Sequence, residues 1–278
     1  MKSNCKTGGF PLAFCAISLY NGFHYRIGRC CSLGQIIAVL SGKGGTGKTS
    51  VCAGVATALA RLGERVLCID CDVGLRNLDI SLGLSESGAL SFLDVSEGGY
   101  RLEQSAVHPD FPSLRFLTAP MNKPVEAIDP AAFGAMLRSS RDSFDYIFLD
   151  APAGVDAGFR LAARNADRCL LVTGADPAAI RDAARCADLL ELMGRHDVRL
   201  IVNRINRKLV STMELTVDDV MDTAGLPLIG VVPEDPGVTL SAAFGKALLV
   251  YDRRCAAAKA FGCIAKRIQG RPVPISIR

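Results

Sequence analysis

The feature that most constrains this chain is a regular alternation of short apolar runs with helix-length segments. Seven runs are nearly free of polar residues: IIAVLS (36–41), RVLCID (65–70), LRFLTA (114–119), YIFLDA (146–151), RCLLVT (168–173), RLIVNR (199–204) and PLIGVV (227–232). Such runs are typical of strands buried on both faces. Helices are predicted between them at 48–62, 130–141, 177–193, 216–224 and 254–269. The alternation predicts an α/β fold: a mostly parallel sheet of seven or eight strands with helices on both faces, in three α/β/α layers.

The 278 residues divide into one long domain and two short flanking segments. We expect residues 35–270 to form a single domain, because this stretch contains no repeat, low-complexity tract or linker. Residues 1–34 contain an apolar run from Phe10 to Tyr20, but no clean small-residue cleavage site follows it. We expect them to form a disordered extension or to result from a mis-assigned start. Residues 271–278 are expected to form a short tail.

Composition favours a folded cytoplasmic protein. Hydrophobic residues make up 49% and charged residues 22%, and the eleven cysteines have no disulfide-like spacing. Cys68 and Cys71 form a C-x-x-C in a strand-like run without a second pair, which indicates buried thiols. The net charge of +4 is too small to indicate nucleic acid by itself. From Lys246 onward, however, eight Lys or Arg accompany one acidic residue, Asp252. This cluster is typical of a solvated helix face, or of a surface for anionic lipid or another polyanion.

The stretch GKGGTGKT (42–49) matches the phosphate-binding motif G-x-x-x-x-G-K-[ST] without a gap. It follows the first predicted strand and opens the first predicted helix, which is the context that the motif requires. Glycines let backbone N–H groups wrap a polyphosphate, and the helix N-terminus adds positive potential. Lys48 is expected to neutralise the β- and γ-phosphates, and the Thr49 hydroxyl to coordinate Mg²⁺. The predicted nucleotide-binding residues of this loop are Gly42, Lys43, Gly44, Gly45, Thr46, Gly47, Lys48, Thr49 and Ser50.

Three aspartates at the ends of two predicted strands favour a magnesium site beside this loop. Asp70 and Asp72 end the run CIDCD, and Asp150 ends YIFLD. Ligands of open parallel sheets gather at the carboxyl ends of the strands, so these carboxylates are placed to hold Mg²⁺ directly or through water. A single aspartate of this kind is also typical of a cap at a turn. Gly154 would let its loop approach the γ-phosphate and change shape when that phosphate leaves.

The nucleotide is predicted to be ATP rather than GTP. The chain contains no N-K-x-D stretch of the kind that usually accompanies guanine recognition. Asn203 instead ends a predicted strand, and its amide is placed to hydrogen-bond the edge of a base.

The seven-residue stretch KGGTGKT (43–49) resembles the deviant Walker A motif of the ParA/MinD class of P-loop ATPases. In that class the early lysine, here Lys43, reaches the partner's nucleotide in an ATP-bound dimer. The resemblance therefore implies that both Lys43 and Lys48 take part in catalysis. GLRNLD (74–79), LDAPAGVDAG (149–158), PAAIRDAARCADLL (177–190), LIVNRI (200–205) and LIGVVPEDPGV (228–238) resemble segments of the MinD branch in the expected order.

The resemblance implies an ATPase that dimerises on ATP, turns over slowly without an activating partner, and helps to place the bacterial division septum. Asp72 would orient the attacking water, with Asp70 and Asp150 around Mg²⁺. Exchanging the roles of Asp70 and Asp72 contradicts nothing in the sequence. Asn77 and the stretch 150–154 would be the two switch regions that sense the γ-phosphate. The implied cofactors are ATP and Mg²⁺, and the implied partners are a second copy of the chain and MinC-like and MinE-like proteins.

The sequence departs from the family at its C-terminus. MinD-type proteins end in an amphipathic helix that binds the membrane, whereas Pro272 and Pro274 prevent a helix in the last segment, GRPVPISIR. The preceding predicted helix has an apolar stripe with the spacing of a core face. Its members are Ala257, Phe261, Ile264 and Ile268. Membrane association is therefore left open: we expect a cytoplasmic chain, with the inner face of the cell membrane as the alternative location.

Other functions of the same class of site also fit the sequence. A ParA-type partition ATPase would bind DNA when dimeric; the basic C-terminal part permits this, while GLRNLD argues against it. The remaining alternatives are a flagellar-number regulator and an ATP-gated scaffold that recruits a protein and hydrolyses ATP negligibly.

Overall fold

A computed structural model describes residues 33–121, 123–206 and 216–275. Within them, eight strands form one sheet in the order β3-β4-β2-β5-β1-β6-β7-β8. The strands are β1 (Gln35–Leu40), β2 (Val66–Asp70), β3 (Ala106–Val107), β4 (Leu114–Leu117), β5 (Tyr146–Asp150), β6 (Arg168–Thr173), β7 (Val198–Ile205) and β8 (Leu228–Pro233). Only β3 is antiparallel to its neighbour among these strands. The prediction of a mostly parallel sheet is confirmed. Nearly all of the predicted extension 1–34 lies outside the described residues.

Ten α-helices occur in the described residues. They are α1 (Lys48–Arg61), α2 (Leu78–Leu82), α3 (Phe92–Ser96), α4 (Pro130–Ser140), α5 (Ala157–Asn165), α6 (Pro177–Leu192), α7 (Val217–Ala224), α8 (Pro236–Ala243), α9 (Leu248–Tyr251) and α10 (Ala256–Ile268). Proline stands at the first helical position of α4, α6 and α8, where its fixed φ suits the helix and its missing N–H costs nothing. A preceding aspartate caps each of these three helices.

The helices cover both faces of the sheet, as predicted. α1, α2, α9 and α10 bury their apolar residues on one face, where Val55 and Phe261 belong to the core. α3, α4, α5 and α6 cover the other face, where Phe133 and Phe159 are fully buried. Each large apolar side chain buried in this way contributes roughly 1.5–3 kcal/mol to stability.

The apolar stripe of α10 lies in the core. Ala257, Phe261, Ile264 and Ile268 are 0%, 1%, 1% and 6% exposed. A side chain at Gly54 of α1 would overlap the Phe261 ring, so glycine is what allows the two helices to pack closely. The prediction of a core face is confirmed.

The sequence reasoning missed several short elements. β3 has two residues, and α2, α3 and α9 have five, five and four. Elements of this length do not display a full hydrophobic period, so no pattern predicts them. Among the described residues, none of the helices combines the length and apolar character needed to cross a bilayer.

Candidate nucleotide-binding site

The carboxyl ends of three neighbouring strands bring the predicted site residues together. The phosphate loop follows β1, the segment 71–77 follows β2 and the segment 151–156 follows β5. In the parallel register, Asp150 lies opposite Asp70 on β2 and opposite Val39 on β1. The two carboxylates therefore start from adjacent positions beside the loop, the place where open parallel sheets bind ligands.

The phosphate loop uses backbone conformations that glycine makes accessible. Gly45 and Gly47 both have a φ of +81°. Gly47 is the N-cap of α1, and its carbonyl accepts the Val51 N–H at 3.0 Å. A Cβ at Gly47 would also overlap the Asn203 amide. The loop thus turns directly into α1 and places the positive end of that helix where a phosphate would bind.

Lys48 is buried and paired beneath the loop. Its side chain is 8% exposed, and its Nζ lies 3.5 Å from Oδ1 of Asp150, whose side chain is 2% exposed. This is the one hydrogen bond of the Lys48 ammonium in the described part of the chain. An ammonium has three donors, so Lys48 retains donors for phosphate oxygens.

Asp70 and Asp150 are both buried, each 1% exposed. Burial, reinforced by the charge of Asp150, raises the pKa of Asp70 to about 7. Burial also raises the pKa of Asp150, although the Lys48 charge and hydrogen bonds from Thr49 and Lys48 oppose it. A divalent cation bound here would lower both pKa values and keep the carboxylates ionised.

Asp70 and Asp72 differ in exposure and in hydrogen-bond partners. Asp70 is 1% exposed, and its two oxygens accept the N–H groups of Asp72 at 2.9 Å and Leu78 at 3.1 Å. Asp72 is half-buried, and its Oδ1 accepts the N–H groups of Gly74 and Leu75, both at 3.2 Å. Asp70 therefore organises the turn, while Asp72 presents the more accessible carboxylate.

The donor set fits a Mg²⁺ ion shared with a nucleotide. The Thr49 side chain is close enough to Asp150 to lower the pKa of that carboxyl, so a hydroxyl and a carboxylate lie side by side. In the described ranges, no group of three or more His, Cys, Asp or Glu is arranged to hold a metal without further ligands. Mg²⁺ commonly takes one or two protein ligands and completes its shell with phosphates and water. Thr49 and Asp150 would hold the Mg²⁺ ion. Both Asp70 oxygens already accept backbone N–H groups, so direct ligation of Mg²⁺ by Asp70 stays a prediction.

Lys43 lies at the rim of the loop. Its side chain is 46% exposed, and its Nζ is 3.3 Å from Oδ1 of Asp176, which is 55% exposed. The same oxygen caps α6 by accepting the Ala179 N–H at 3.0 Å. Although burial acts in the opposite direction, the hydrogen bonds from Ala179 and Lys43 lower the pKa of Asp176. The sequence reasoning missed Asp176, whose visible signal, an Asp-Pro pair before a helix, indicates only a cap.

Two cavities flank the loop near the ends of β7 and β8, with volumes of 310 and 540 Å³. Asn203, Arg204 and Glu234 line both. The Asn203 amide nitrogen donates to the Thr46 carbonyl at 2.7 Å. The Asn203 side-chain carbonyl oxygen could then accept a hydrogen bond from the amino group of adenine. This contact with the base stays a prediction.

Arg204 holds a strained conformation at this cavity, and the sequence reasoning missed it. Its φ is +57°, in the left-handed region that residues with side chains rarely occupy. Its guanidinium donates to the Gly45 carbonyl at 3.1 Å and lies 3.6 Å from the Glu234 carboxylate. Strain of this kind persists where surrounding contacts fix it, often at ligand sites.

The two predicted switch regions lie in loops at the open edge of the site. Asn77 is exposed and occupies the N-cap position of α2 without a side-chain capping bond. Its neighbour Arg76 has a φ of +46°, and its Nε donates to the Thr118 hydroxyl at 2.9 Å. In the second region, Gly154 has a φ of +92° and donates to the Ser41 carbonyl at 3.1 Å. The role of these two loops as switches that sense a γ-phosphate stays a prediction.

The fold and the loop define a P-loop nucleotide-binding protein, and comparison with known proteins specifies its class. The family model for the CobQ/CobB/MinD/ParA nucleotide binding domain matches residues 37–249. The chain belongs to this family. It is therefore a nucleotide-binding member of a class that includes the MinD and ParA ATPases, as the deviant loop predicted.

Within this class the similarity is to MinD. The septum site-determining protein MinD of Synechocystis sp. is 37% identical over 244 residues, which cover 87% of this chain and 92% of the relative. MinD in the MinC:MinD cell division complex of Aquifex aeolicus matches with a TM-score of 0.81 and 36% identity, covering 87% of this chain and 98% of that one. MinD of Pyrococcus horikoshii complexed with Mg-ADP matches with a TM-score of 0.75 and 28% identity, covering 85% and 96%. The resemblance to the MinD branch is confirmed.

Proposed function

We propose that this chain dimerises on binding ATP and Mg²⁺, hydrolyses ATP, and sets the position of the bacterial division septum. The observation that carries the proposal is the separation of the two loop lysines. Lys48 is buried with Asp150, whereas Lys43 lies half-exposed at the rim, within reach of a second molecule. A cation supplied in trans to the phosphates acts as an arginine finger does. An isolated chain lacks the partner's Lys43, so it should hydrolyse ATP slowly; the proposal adds that the dimer also turns over slowly until an activating protein binds.

In the proposed reaction, water attacks the γ-phosphorus in line and inorganic phosphate leaves ADP. The loop N–H groups and Lys48 hold the β- and γ-phosphates, while Asp72 orients the water. Thr49 and Asp150 would hold Mg²⁺, which would neutralise the charge that develops on the phosphate oxygens. Asp70 fixes the turn that positions Asp72, through its bonds to Asp72 and Leu78. Catalysis then consists of orientation and electrostatic stabilisation.

The partners follow from the relatives. The name of the Synechocystis relative supports a role in septum placement, and the Aquifex MinC:MinD complex supports a MinC-like partner. A MinE-like activator would raise the turnover of a chain that works in the cytoplasm or at the inner face of the cell membrane. A ParA family ATPase from Chlorobium tepidum is 22% identical and shares the fold alone, so DNA partition is the less supported alternative.

Substitution of Asp72 tests the proposal. Asp72→Asn keeps a side-chain acceptor for the Gly74 and Leu75 N–H groups but removes the carboxylate. We expect an ATP-dependent dimer to persist in size-exclusion chromatography, and phosphate release to fall by about tenfold or more, as for loss of a general base. Asp222→Asn, an exposed site on α7, is the matched control. Hydrolysis by Asp72→Asn at the wild-type rate would refute the assigned role, and an absence of ATP-dependent dimers in the wild type would refute the proposed cycle.

A further inference from the structure

The sheet is irregular where β7 reaches the phosphate loop. Three steps along the end of β7, from Val202 to Ile205, pair with two steps along β8. β7 therefore contains one extra residue here, in a β-bulge that comprises Asn203 and Arg204. Bulges redirect side chains and are over-represented next to active sites. The irregularity thus aims two side chains of β7 at the loop instead of continuing the regular alternation of the strand.

The two bulge residues hold consecutive carbonyls of the loop. The Asn203 Nδ2 donates to the Thr46 carbonyl at 2.7 Å, and the Arg204 guanidinium donates to the Gly45 carbonyl at 3.1 Å. In a trans peptide, the carbonyl and the N–H of the next residue point in opposite directions. The N–H groups of Thr46 and Gly47 therefore face away from the bulge. Neither donates to another backbone group in the described part of the chain, so both are free for an anion.

Gly45 is the part of the loop that most needs such a restraint. Its φ is +81°, and glycine is the residue with the greatest conformational freedom. Apart from its chain neighbours, none of the described residues has an atom within 4 Å of where a Gly45 Cβ would lie. At Gly47, by contrast, a Cβ would overlap the Asn203 amide. Packing therefore restrains Gly47 but not Gly45, and the bond from Arg204 is what fixes the Gly45 peptide.

Arg204 makes this contact from a backbone conformation that disfavours it. Its φ is +57°, and its side chain is 59% exposed. Glycine would adopt this φ without steric cost, so the backbone alone gives no reason for an arginine. The ion pair with Glu234 gives little reason either, because it spans 3.6 Å and the Glu234 side chain is 47% exposed. The distinguishing contact of Arg204 is the charge-assisted hydrogen bond to the Gly45 carbonyl.

We propose that Arg204 is a positioning residue that acts on the nucleotide phosphates through the phosphate loop. Its guanidinium fixes the peptide between Gly45 and Thr46, so the Thr46 N–H donates to a phosphate oxygen without first having to be ordered. This role deepens the proposed function and rests on its nucleotide-binding step. It is therefore tested on binding, separately from hydrolysis and dimerisation.

Binding of Mg-ADP and Mg-pyrophosphate tests this role, because pyrophosphate offers the loop its phosphates without a base. Arg204→Met keeps most of the side-chain length but removes the donors. We expect Mg-ADP to bind about tenfold more weakly, the effect of losing one hydrogen bond from a charged group. Mg-pyrophosphate should bind more weakly by the same factor. Arg204→Lys keeps a cationic donor and should bind both about threefold more tightly than Arg204→Met does. Competition with a fluorescent ADP analogue measures each affinity.

Arg204→Gly separates positioning from structural support. Glycine relieves the left-handed φ, so the nucleotide-free chain should melt at the wild-type temperature or above it. Affinity for Mg-ADP should nevertheless fall as it does in Arg204→Met. A residue that only supported the structure would lose stability and affinity together. Thermal unfolding without nucleotide, set beside the affinities, measures this separation.

Arg199→Met is the matched control. Arg199 lies near the opposite end of β7 and has an ion-pair partner of its own, Asp197, at 3.0 Å. Its substitution should leave both affinities unchanged. Arg204→Met that binds Mg-ADP as tightly as the wild type would overturn the proposal. Weaker binding of Mg-ADP with unchanged binding of pyrophosphate would overturn it as well, and would assign Arg204 to the base. Affinities that follow the melting temperature through all three Arg204 variants would leave it only a structural role.

Discussion

Lys48 and Lys43 belong to one loop, five positions apart, yet they occupy opposite environments. The Lys48 side chain is 8% exposed and pairs with a carboxylate that is itself buried. The Lys43 side chain is 46% exposed and pairs with Asp176 at the protein surface. An exposed ion pair contributes about 0–1 kcal/mol, whereas breaking a buried pair costs about 3–5 kcal/mol. The loop therefore fixes one cation in place and leaves the other free to change partners.

The difference assigns the two lysines to different steps. In the proposed cycle, a cation that is fixed beside Asp150 would serve the nucleotide of its own chain at all times. A cation that is held weakly at the rim contributes only when something replaces Asp176. The proposed dimer supplies that replacement, in the form of the partner's phosphates.

The largest expected effect comes from substituting the two lysines separately. Lys48→Gln keeps a donor for Asp150 but loses the charge, so we expect ADP affinity to fall about 100-fold, the loss of a charge-assisted hydrogen bond of up to 3 kcal/mol. Lys43→Gln should leave monomer affinity for ADP within about threefold, because its exposed pair contributes so little. Isothermal titration with Mg-ADP measures both.

The same pair of variants also tests the proposed dimer. Lys43→Gln should bind ATP yet fail to form the ATP-dependent dimer in size-exclusion chromatography. Equal losses of ADP affinity in the two variants would show that both lysines serve the nucleotide in cis. Thermal unfolding without nucleotide shows whether Lys48→Gln is folded.

The sheet and the phosphate loop could be predicted because their signals are local. The strands are buried on both faces, so their apolar runs are uninterrupted, and parallel pairing brings their carboxyl ends to one edge. Asp70 and Asp150 were found by that rule. Their hydrogen bonds could not be predicted. Asp70 accepts the Leu78 N–H, for example, and this bond depends on the path of the turn between residues 70 and 78.

The remaining site features depend on contacts between distant parts of the chain. Asp176 lies 133 residues from Lys43, and Arg204 lies 159 residues from Gly45. No spacing in the sequence brings these pairs together. The left-handed φ of Arg204 is likewise unpredictable, since glycine or asparagine is the residue that usually marks such a position.

The pH dependence provides the second test. Asp70, near the buried Lys48, titrates around neutral pH, whereas Asp176, the partner of Lys43, does not. The pKa of Asp70, about 7, is raised above its ordinary value. The protonated Asp70 side chain therefore makes its full contribution to the free energy of unfolding below about pH 4, and this contribution is lost as the pH rises through 7. Binding of Mg-nucleotide needs ionised carboxylates and should strengthen severalfold from pH 6 to 8. Asp176, with its lowered pKa, stays ionised throughout.

Thermal unfolding with and without Mg-ADP measures both trends. The nucleotide-free chain should lose stability from pH 6 to 8, while the shift in melting temperature that Mg-ADP produces should grow. Lys43→Gln should show the same two trends as the wild type, since its partner does not titrate in this range. A nucleotide-induced shift that is constant from pH 6 to 8 would contradict the assignment of the acidic pair to the metal site.

The smallest expected effect is the most specific, and it comes from Asp176→Asn. Asparagine caps a helix about as well as aspartate does, so the Ala179 bond and α6 should survive, and stability should change by less than about 1 kcal/mol. Only the attraction for Lys43 is removed. If that pair holds Lys43 back, the ATP-dependent dimer should form at up to about fivefold lower protein concentration, while ADP affinity stays unchanged. A dimer that is weaker in Asp176→Asn would mean that Asp176 acts within the dimer, as a residue that positions Lys43 rather than one that restrains it.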